Sequence, residues 1–306
     1  MFNKANPKIL GIVFVVLLGL VLITKLGGGQ RGERSFKSEL ISFSSEDINN
    51  ISITPANSDG YSLVKEEGSW KVVKGDQSYP ASENQVQRVI DQVASLKVNQ
   101  VVATSPDDWD QYEVTDSLAT KVNVKAGNES IGLRVGKLNF DRRTRSATSY
   151  VRQAGDDNVY GVNGFLKMSF GRGADAYRKK TVVSLEDKSA VNQISFDYPA
   201  DSSFVMKRNN NRWMVEGQAV DSASAAEYLN TIQNLNGSSF ADLQNPDMSN
   251  PTYKATLSGE ENIEVTAKKI GGAWVVHSSQ NQASYFSDSQ GSIRDKLFVS
   301  RDSLLQ

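Results

Sequence analysis

The sequence predicts an α+β protein in which an N-terminal transmembrane helix precedes two tandem repeats, each made of antiparallel sheet plus an amphipathic helix. Three observations lead to this prediction: an apolar run near the N-terminus, short stretches of alternating apolar residues, and a return of the same pattern about 140 positions later. A length of 306 residues also suggests about two domains. The predicted boundaries are a cytoplasmic tail at 1–8, a transmembrane helix at 9–26, a linker at 27–45, a first α+β repeat at 46–186 and a second at 187–306.

The composition excludes several classes of function. Hydrophobic residues make up 39 % and charged residues 23 % of the chain, as in an ordinary globular protein. A formal net charge of −1 gives no global basic field for binding nucleic acid. The absence of cysteine excludes disulfides, thiolate metal sites, a thiol nucleophile and a lipid-modified cysteine anchor, and the single histidine excludes multi-histidine metal sites.

The first strong feature is the apolar run at 9–26, in which only Thr24 and Lys25 are polar. A helix of this length rises about 27 Å, which is nearly the thickness of a ~30 Å hydrocarbon core. A cleaved signal peptide is the alternative, with Lys4 and Lys8 as its basic start, but no small-residue cleavage site follows the run. Either way the body is exported. The uncleaved run, which is the favoured reading, predicts a single-pass protein of the inner (cytoplasmic) membrane with its body in the periplasm or outside the cell.

The body repeats one pattern twice. Residues 48–53 recur at 191–196, and at the same offset Trp70 corresponds to Trp213. Alternating apolar positions in these stretches predict short half-buried strands. Each tryptophan is expected to pack against a sheet, and the alternative is a platform for stacking a ligand.

An amphipathic helix follows each tryptophan. Apolar residues at helical spacing predict one buried face per helix. These residues are Val86, Val89, Ile90, Val93 and Leu96 in the first repeat, and Ala225, Tyr228, Leu229, Ile232 and Leu235 in the second. Ser82 with Gln85 predicts a capping box, and Asp221 takes the N-cap position of the second helix. Each repeat is thus expected to contain about two strands, the helix, a meander of about four strands, and a small terminal helix at 165–177 or 293–297.

A series of packing residues follows one order along most of residues 46–305: Trp70, Pro80-Ala81-Ser82, Val101-Val102-Ala103, Tyr112, Thr120-Lys-Val122-Asn-Val124, Val135-Gly136, Tyr150-Val151-Arg152 and Val159-Tyr160. This order resembles the bacterial domain-of-unknown-function 4340 family. The resemblance implies a membrane-anchored envelope protein, often encoded beside ABC-type transporter components similar to those of gliding-motility systems, and it supplies no catalytic residues. One departure is visible: a Gly-Leu pair commonly follows the family tyrosine, whereas Glu113-Val114 follows Tyr112, so the family's short turn is not assured here.

His277 is the only histidine available for acid–base chemistry, and it lies on a predicted strand. A Ser-His-Asp triad would have to use Ser278 or Ser279. Neighbours on a strand point to opposite faces, and a residue two positions away is ~7 Å distant, so neither serine is well placed. His277 is therefore predicted to be an ordinary strand residue.

Three other patterns bear on function: an acidic cluster, a pair of glycines around an arginine, and a cluster of arginines. The acidic residues Asp107, Asp108, Asp110, Glu113 and Asp116 lack the mid-loop glycine and terminal glutamate of a calcium loop, so a solvated acidic loop is predicted. Gly171-Arg172-Gly173 lacks the lysine of a phosphate-binding loop. Arg142, Arg143 and Arg145 lie in a predicted hairpin loop, read as a solvated turn, with contact to anionic lipid or an acidic partner as the alternative.

These observations predict no catalytic, cofactor-binding or metal-binding residues. The expected function is that of a non-catalytic, membrane-anchored extracytoplasmic accessory or scaffold protein that partners an ABC-type transporter or another envelope complex. One alternative is an envelope carbohydrate-active hydrolase that uses paired carboxylates. The other is a binding protein for a small ligand or polysaccharide, with an aromatic-lined groove between the repeats and with Trp70 and Trp213 exposed.

Overall fold

The computed structural model describes residues 40–41, 43–210 and 212–305. The chain divides into two units, Met1–Leu40 and Ile41–Gln306, and the fold below is that of the second unit. The predicted tail at 1–8, the predicted transmembrane helix at 9–26 and most of the predicted linker lie outside the described residues. Among the residues that are described, no helix is both long and apolar enough to cross a bilayer.

The described body is α+β and is dominated by antiparallel strands, as predicted. The first ten strands are β1 (Ile48–Thr54), β2 (Tyr61–Glu66), β3 (Ser69–Lys74), β4 (Gln77–Pro80), β5 (Val98–Ala103), β6 (Thr120–Ala126), β7 (Glu129–Asp141), β8 (Ser146–Gln153), β9 (Val159–Asn163) and β10 (Thr181–Ser184). The later strands are β11 (Gln193–Asp197), β12 (Phe204–Asn209), β13 (Arg212–Val215), β14 (Gln218–Ala219), β15 (Asn234–Asn236), β16 (Ser239–Phe240), β17 (Tyr253–Ser258), β18 (Ile263–Ile270), β19 (Ala273–Ser278) and β20 (Tyr285–Ser287).

Two nine-stranded sheets have the same arrangement of strands. The first runs β4-β3-β2-β1-β6-β7-β8-β9-β5, and the second runs β14-β13-β12-β11-β17-β18-β19-β20-β16. In each sheet a four-stranded meander precedes the helix and a second four-stranded meander follows it. A strand that lies between the helix and the second meander in the sequence closes the far edge: β5 in the first sheet and β16 in the second. We call the parts of the body that hold these sheets the first half and the second half.

Four strands precede the helix in each half, not about two as the sequence suggests. β3 and β4 join through a tight turn, and β4 has no fully buried residue, so its sequence carries little alternation of apolar and polar residues. β14 contains only two exposed residues. Short edge strands of this kind give almost no periodic signal.

The described body also contains six α-helices, besides five short 3-10 turns: α1 (Glu83–Ala94), α2 (Trp109–Tyr112), α3 (Leu166–Phe170), α4 (Ser222–Ile232), α5 (Arg294–Leu297) and α6 (Arg301–Leu304). Four of the five residues predicted for each buried face lie on α1 and α4 and are buried. The fifth residues, Leu96 and Leu235, are buried as well but lie beyond the helix ends, and Leu235 belongs to β15. The carboxylate of Asp221 caps α4, accepting hydrogen bonds from the amides of Ala223 at 2.9 Å and Ser224 at 3.0 Å. The predicted capping box at α1 is wrong in one respect, because Ser82 occupies the N-cap position but its hydroxyl makes no cap bond.

Each sheet packs its apolar face against its helix. Trp70 and Trp213, 6 % and 7 % exposed, belong to this packing. Buried tyrosines tie the short terminal helices to the same core: the hydroxyl of Tyr61 donates to the carbonyl of Phe170 at 3.3 Å, and that of Tyr228 donates to the carbonyl of Leu297 at 2.9 Å. Burial raises the pKa of both tyrosines, which keeps these hydroxyls protonated as donors.

Candidate functional site

His277 does not meet a serine in the way a catalytic triad requires. Its ring stacks on Tyr285 with centroids 4.8 Å apart, and its Nε2 lies 3.2 Å from the carbonyl oxygen of Gln282. The hydroxyl of Ser278 is buried and donates to the carbonyl of Val182 at 2.5 Å, while that of Ser279 accepts from the amide of Glu264 at 3.0 Å. Both serine hydroxyls therefore serve backbone groups.

The acidic loop does not assemble a cation site. Asp116 pairs with Arg134 and Glu113 pairs with Lys167. The hydrogen bond from Arg134 lowers the pKa of Asp116. In the described part of the chain, no three His, Cys, Asp or Glu side chains come close enough to hold a metal ion.

The same loop is held on the first sheet by aromatic and cationic contacts. The guanidinium of Arg152, a residue only 5 % exposed, lies 3.7 Å from the ring of Trp109 and donates from Nε to the carbonyl of Val114 at 3.1 Å. Tyr112 packs against Tyr150 with ring centroids 4.8 Å apart. These contacts bring the loop backbone so close to β7 that only a glycine fits beneath it, at Gly136.

The turn after Tyr112 has a left-handed conformation at Glu113, where the sequence carries no glycine. Glu113 adopts φ 58°, a region that side chains with a Cβ rarely enter. It closes α2, where glycine is the usual residue.

Replacing Glu113 with glycine is expected to stabilise the body by about 0.5–1 kcal/mol, because glycine adopts positive φ without steric cost. The lost ion pair to Lys167 is exposed and contributes little. Urea unfolding of E113G measures the change, and E113Q serves as the control that removes the charge but keeps the Cβ. A lower midpoint for E113G than for E113Q would contradict this account of the turn.

The two halves meet around the buried side chain of Arg178, which is 4 % exposed. Its guanidinium lies between two aromatic rings, 3.6 Å from that of Tyr79 in β4 and 3.6 Å from that of Phe240 in β16. Nη1 donates to Asp175 at 3.1 Å and Nη2 donates to the hydroxyl of Ser284 at 3.2 Å. One cation thus joins an edge strand of the first sheet to an edge strand of the second.

The backbone around Arg178 is bonded to both halves. On the first half, the amide of Ser82 donates to the carbonyl of Tyr177 at 2.7 Å, and that of Lys179 donates to Pro80 at 2.8 Å. On the second half, Asn281 donates from Nδ2 to the carbonyl of Lys179 at 2.8 Å. β10 then pairs with β15. We call residues 177–185 with these partners the junction; sequence reasoning missed it, because Arg178-Lys179-Lys180 looks like a solvated basic run.

Two open grooves that share part of their lining lie beside the junction. One of 450 Å³ is lined by Tyr79, Arg178 and Tyr285, and a second of 570 Å³ extends from it past Gly75. The two share the residues Asp76, Gln77, Tyr79, Leu243 and Gln244, and we call them together the junction groove. Its lining mixes both charge signs with polar and apolar groups, so it matches a polypeptide better than a single small anion or an apolar ligand.

The two alternative functions each require particular side chains: exposed tryptophans for a ligand-binding platform, and paired carboxylates for a glycosidase. A glycan- or ligand-binding platform on Trp70 and Trp213 is not available, because both rings are buried. A glycosidase needs a carboxylic acid with a raised pKa. Five carboxyl groups of the described residues show the opposite shift, because hydrogen bonds that they accept lower the pKa of Asp116, Asp141, Asp187, Asp221 and Asp247, the last to about 2.

The fold and the junction define an α+β body in which two nine-stranded antiparallel sheets are joined through a buried arginine. The chain belongs to the family described as domain of unknown function (DUF4340), whose model matches residues 70–256, more than half of its length. The matched range begins in β3 and ends in β17, so residues 177–185 of the junction lie inside it, whereas their partner Asn281 lies beyond its end. No curated protein and no solved structure matches the chain.

Proposed function

We propose that this protein is a non-catalytic, membrane-anchored extracytoplasmic scaffold or accessory subunit that binds a segment of a membrane-protein partner in the junction groove. The observation that carries the proposal is the junction itself, which holds an open, chemically mixed groove between two rigidly bonded halves. The side chains around it are engaged in packing and backbone hydrogen bonds, which suits recognition. An ABC-type transporter component is the partner implied by the family resemblance.

We further propose that the two halves arose by tandem duplication. The identical order of strands in the two sheets supports this, as do the equivalent positions of Trp70 in β3 and Trp213 in β13. β10 pairs with β15, which favours placing the start of the second repeat near residue 181 instead of 187. The junction groove would then be a surface that neither repeat possesses alone.

The location follows from the sequence outside the described residues. The apolar run at 9–26 is long enough for a single span, and a short tail before it with a large domain after it favours a cytoplasmic N-terminus. The body would then lie in the periplasm or outside the cell. Anchoring raises the effective concentration of the groove near partners in the same membrane, so a modest affinity for a short segment is sufficient.

Site-specific crosslinking tests the proposal, and the absence of native cysteine makes single-cysteine variants clean probes. Leu243, 38 % exposed, lines the junction groove, whereas Val205, 42 % exposed, lies on β12 away from it. We expect L243C in native membranes to crosslink to an ABC-type transporter subunit identified by mass spectrometry, and V205C to do so at least tenfold less (about 1.4 kcal/mol of preference).

Two outcomes would refute the scaffold proposal. One is the absence of any membrane-protein adduct from L243C under conditions where a labelling reagent reaches the cysteine. The other is equal crosslinking of L243C and V205C to the same proteins, because nonspecific proximity and not the groove would then explain the adducts.

A further inference from the structure

The hairpin formed by β7 and β8 extends beyond its neighbours in the first sheet. The pairing of β6 with β7 ends at Val135, and the pairing of β9 with β8 ends at Thr148. The last hairpin pairs, Phe140 with Ala147 and Asp141 with Ser146, lie past both points. The amide of Gly164, just after β9, still donates to the carbonyl of Ala147 at 3.0 Å, so the part that projects past both neighbours is the pair of Asp141 with Ser146 and the turn between them.

Large apolar side chains are exposed at this projection. Phe140 is 47 % exposed, Phe165 43 % and Met168 62 %, and the two phenyl rings lie 6.1 Å apart. Phe165 is the residue before α3, and Met168 lies within α3, three residues after Phe165. This spacing is about one helical turn, so both side chains lie on the same side of the helix. Exposed apolar residues gathered in one place, as opposed to scattered singly, indicate a contact surface.

Cations surround the same place. Arg142, Arg143 and Arg145 are exposed in the turn between β7 and β8. The neighbouring Asp141 is occupied in accepting hydrogen bonds from the amides of Arg143 and Thr144, and no ion pair involves the three guanidinium groups within the described residues. Arg145 even adopts φ 54°, where glycine would be less strained.

We propose that this surface, which we call the hairpin tip and define by Phe140, Arg142, Arg143, Arg145, Phe165 and Met168, inserts into the surface of an anionic lipid bilayer. Apolar side chains that enter the interface and guanidinium groups that bind lipid phosphates are the two components of peripheral membrane binding. A projecting tip suits a deformable lipid surface, whereas a protein partner is usually engaged through a complementary patch with pockets. This contact is separate from the anchor proposed at 9–26.

The test measures the polarity of the surroundings of the hairpin tip. M168C in the full chain is labelled with a polarity-sensitive fluorophore and added to vesicles of phosphatidylcholine, or of phosphatidylcholine mixed with phosphatidylglycerol. We expect a blue-shifted, stronger emission only with the anionic vesicles, and we expect high salt to reverse it because the attraction is electrostatic. A label at V205C reports adsorption of the body elsewhere and should stay unchanged.

The arginines provide the decisive variant. Removing three interfacial charges with R142Q/R143Q/R145Q weakens surface binding about 100-fold. We expect this variant to lose the M168C emission shift while its circular dichroism and unfolding midpoint stay near those of the parent, because all three side chains are exposed.

Equal emission in neutral and anionic vesicles, or a shift that survives in the triple variant, would overturn the proposal. So would a label that is shielded only when membrane proteins are added, which would assign the tip to an acidic protein surface. If the full chain sedimented with neither vesicle type at high salt, the anchor proposed at 9–26 would be refuted. The emission of labelled M168C at low salt would still show whether the hairpin tip enters an anionic bilayer.

Discussion

Arg178→Ala is expected to lower the free energy of unfolding of the body by about 2–3 kcal/mol. The substitution removes a buried guanidinium that fills the space between Tyr79 and Phe240, and it leaves the hydroxyl of Ser284 without its partner. Both effects weaken the contact between the sheets. We therefore also expect the two halves to unfold less cooperatively, which urea unfolding followed by circular dichroism and by tryptophan fluorescence would reveal as transitions that no longer coincide.

Two matched variants separate the causes. R142A removes an arginine that is exposed on the hairpin tip, and its midpoint should stay close to that of the parent. R178M keeps an unbranched side chain between the two rings but loses the hydrogen bonds, so its stability should fall between those of the parent and of R178A. If R178A proved as stable as R142A, the junction would not hold the halves together.

Gly136→Ala is expected to cost about 2–3 kcal/mol, which is large for one added methyl group. A Cβ at this position would lie 2.1 Å from the carbonyl oxygen of Tyr112 and 3.0 Å from that of Glu113. These are backbone atoms and cannot rotate aside, so the acidic loop must lift from β7. The stacking of Arg152 on Trp109 would weaken with it, and near-ultraviolet circular dichroism should detect the loss along with the lower urea midpoint.

Gly132→Ala is the control for this prediction, because it lies on the same strand four residues earlier. Its added Cβ would meet the side-chain oxygen of Asn123 at 2.9 Å and the Cβ of Ala154 at 3.1 Å, and the first of these can move. We expect G132A to be clearly milder than G136A. Equal effects would mean that glycine is needed for β7 as a strand and not for the approach of the loop.

Residues with regular spacing could be predicted well from the sequence. The buried faces of α1 and α4 follow from a period of 3.6, since each apolar position recurs on one side of the helix. The burial of Trp70 and Trp213 followed from their place at the end of alternating segments. In both cases the pattern reflects the contact that each element makes with the core.

The order of the strands and the junction could not be predicted in the same way. Alternation shows which side of a strand is buried but not which strand lies beside it, so the position of β5 at the edge beyond β9 has no signature in the sequence. β10 lies inside the range predicted for the first repeat, yet it pairs with β15. Arg178 differs from Lys179 and Lys180 only through its tertiary surroundings.

The bonding at the junction has a consequence for the thermodynamics of recognition. Because both sides of the junction groove are joined through Arg178 and through backbone hydrogen bonds on either side of it, its walls are preorganised before anything binds. The bound polypeptide segment would lose nearly all of the conformational entropy that is lost on association, and the groove would lose little. Restricting the conformations of the free segment would then raise the affinity strongly. Thermal motion of the groove would change the affinity only weakly, as expected for a rigid receptor that binds a flexible polypeptide.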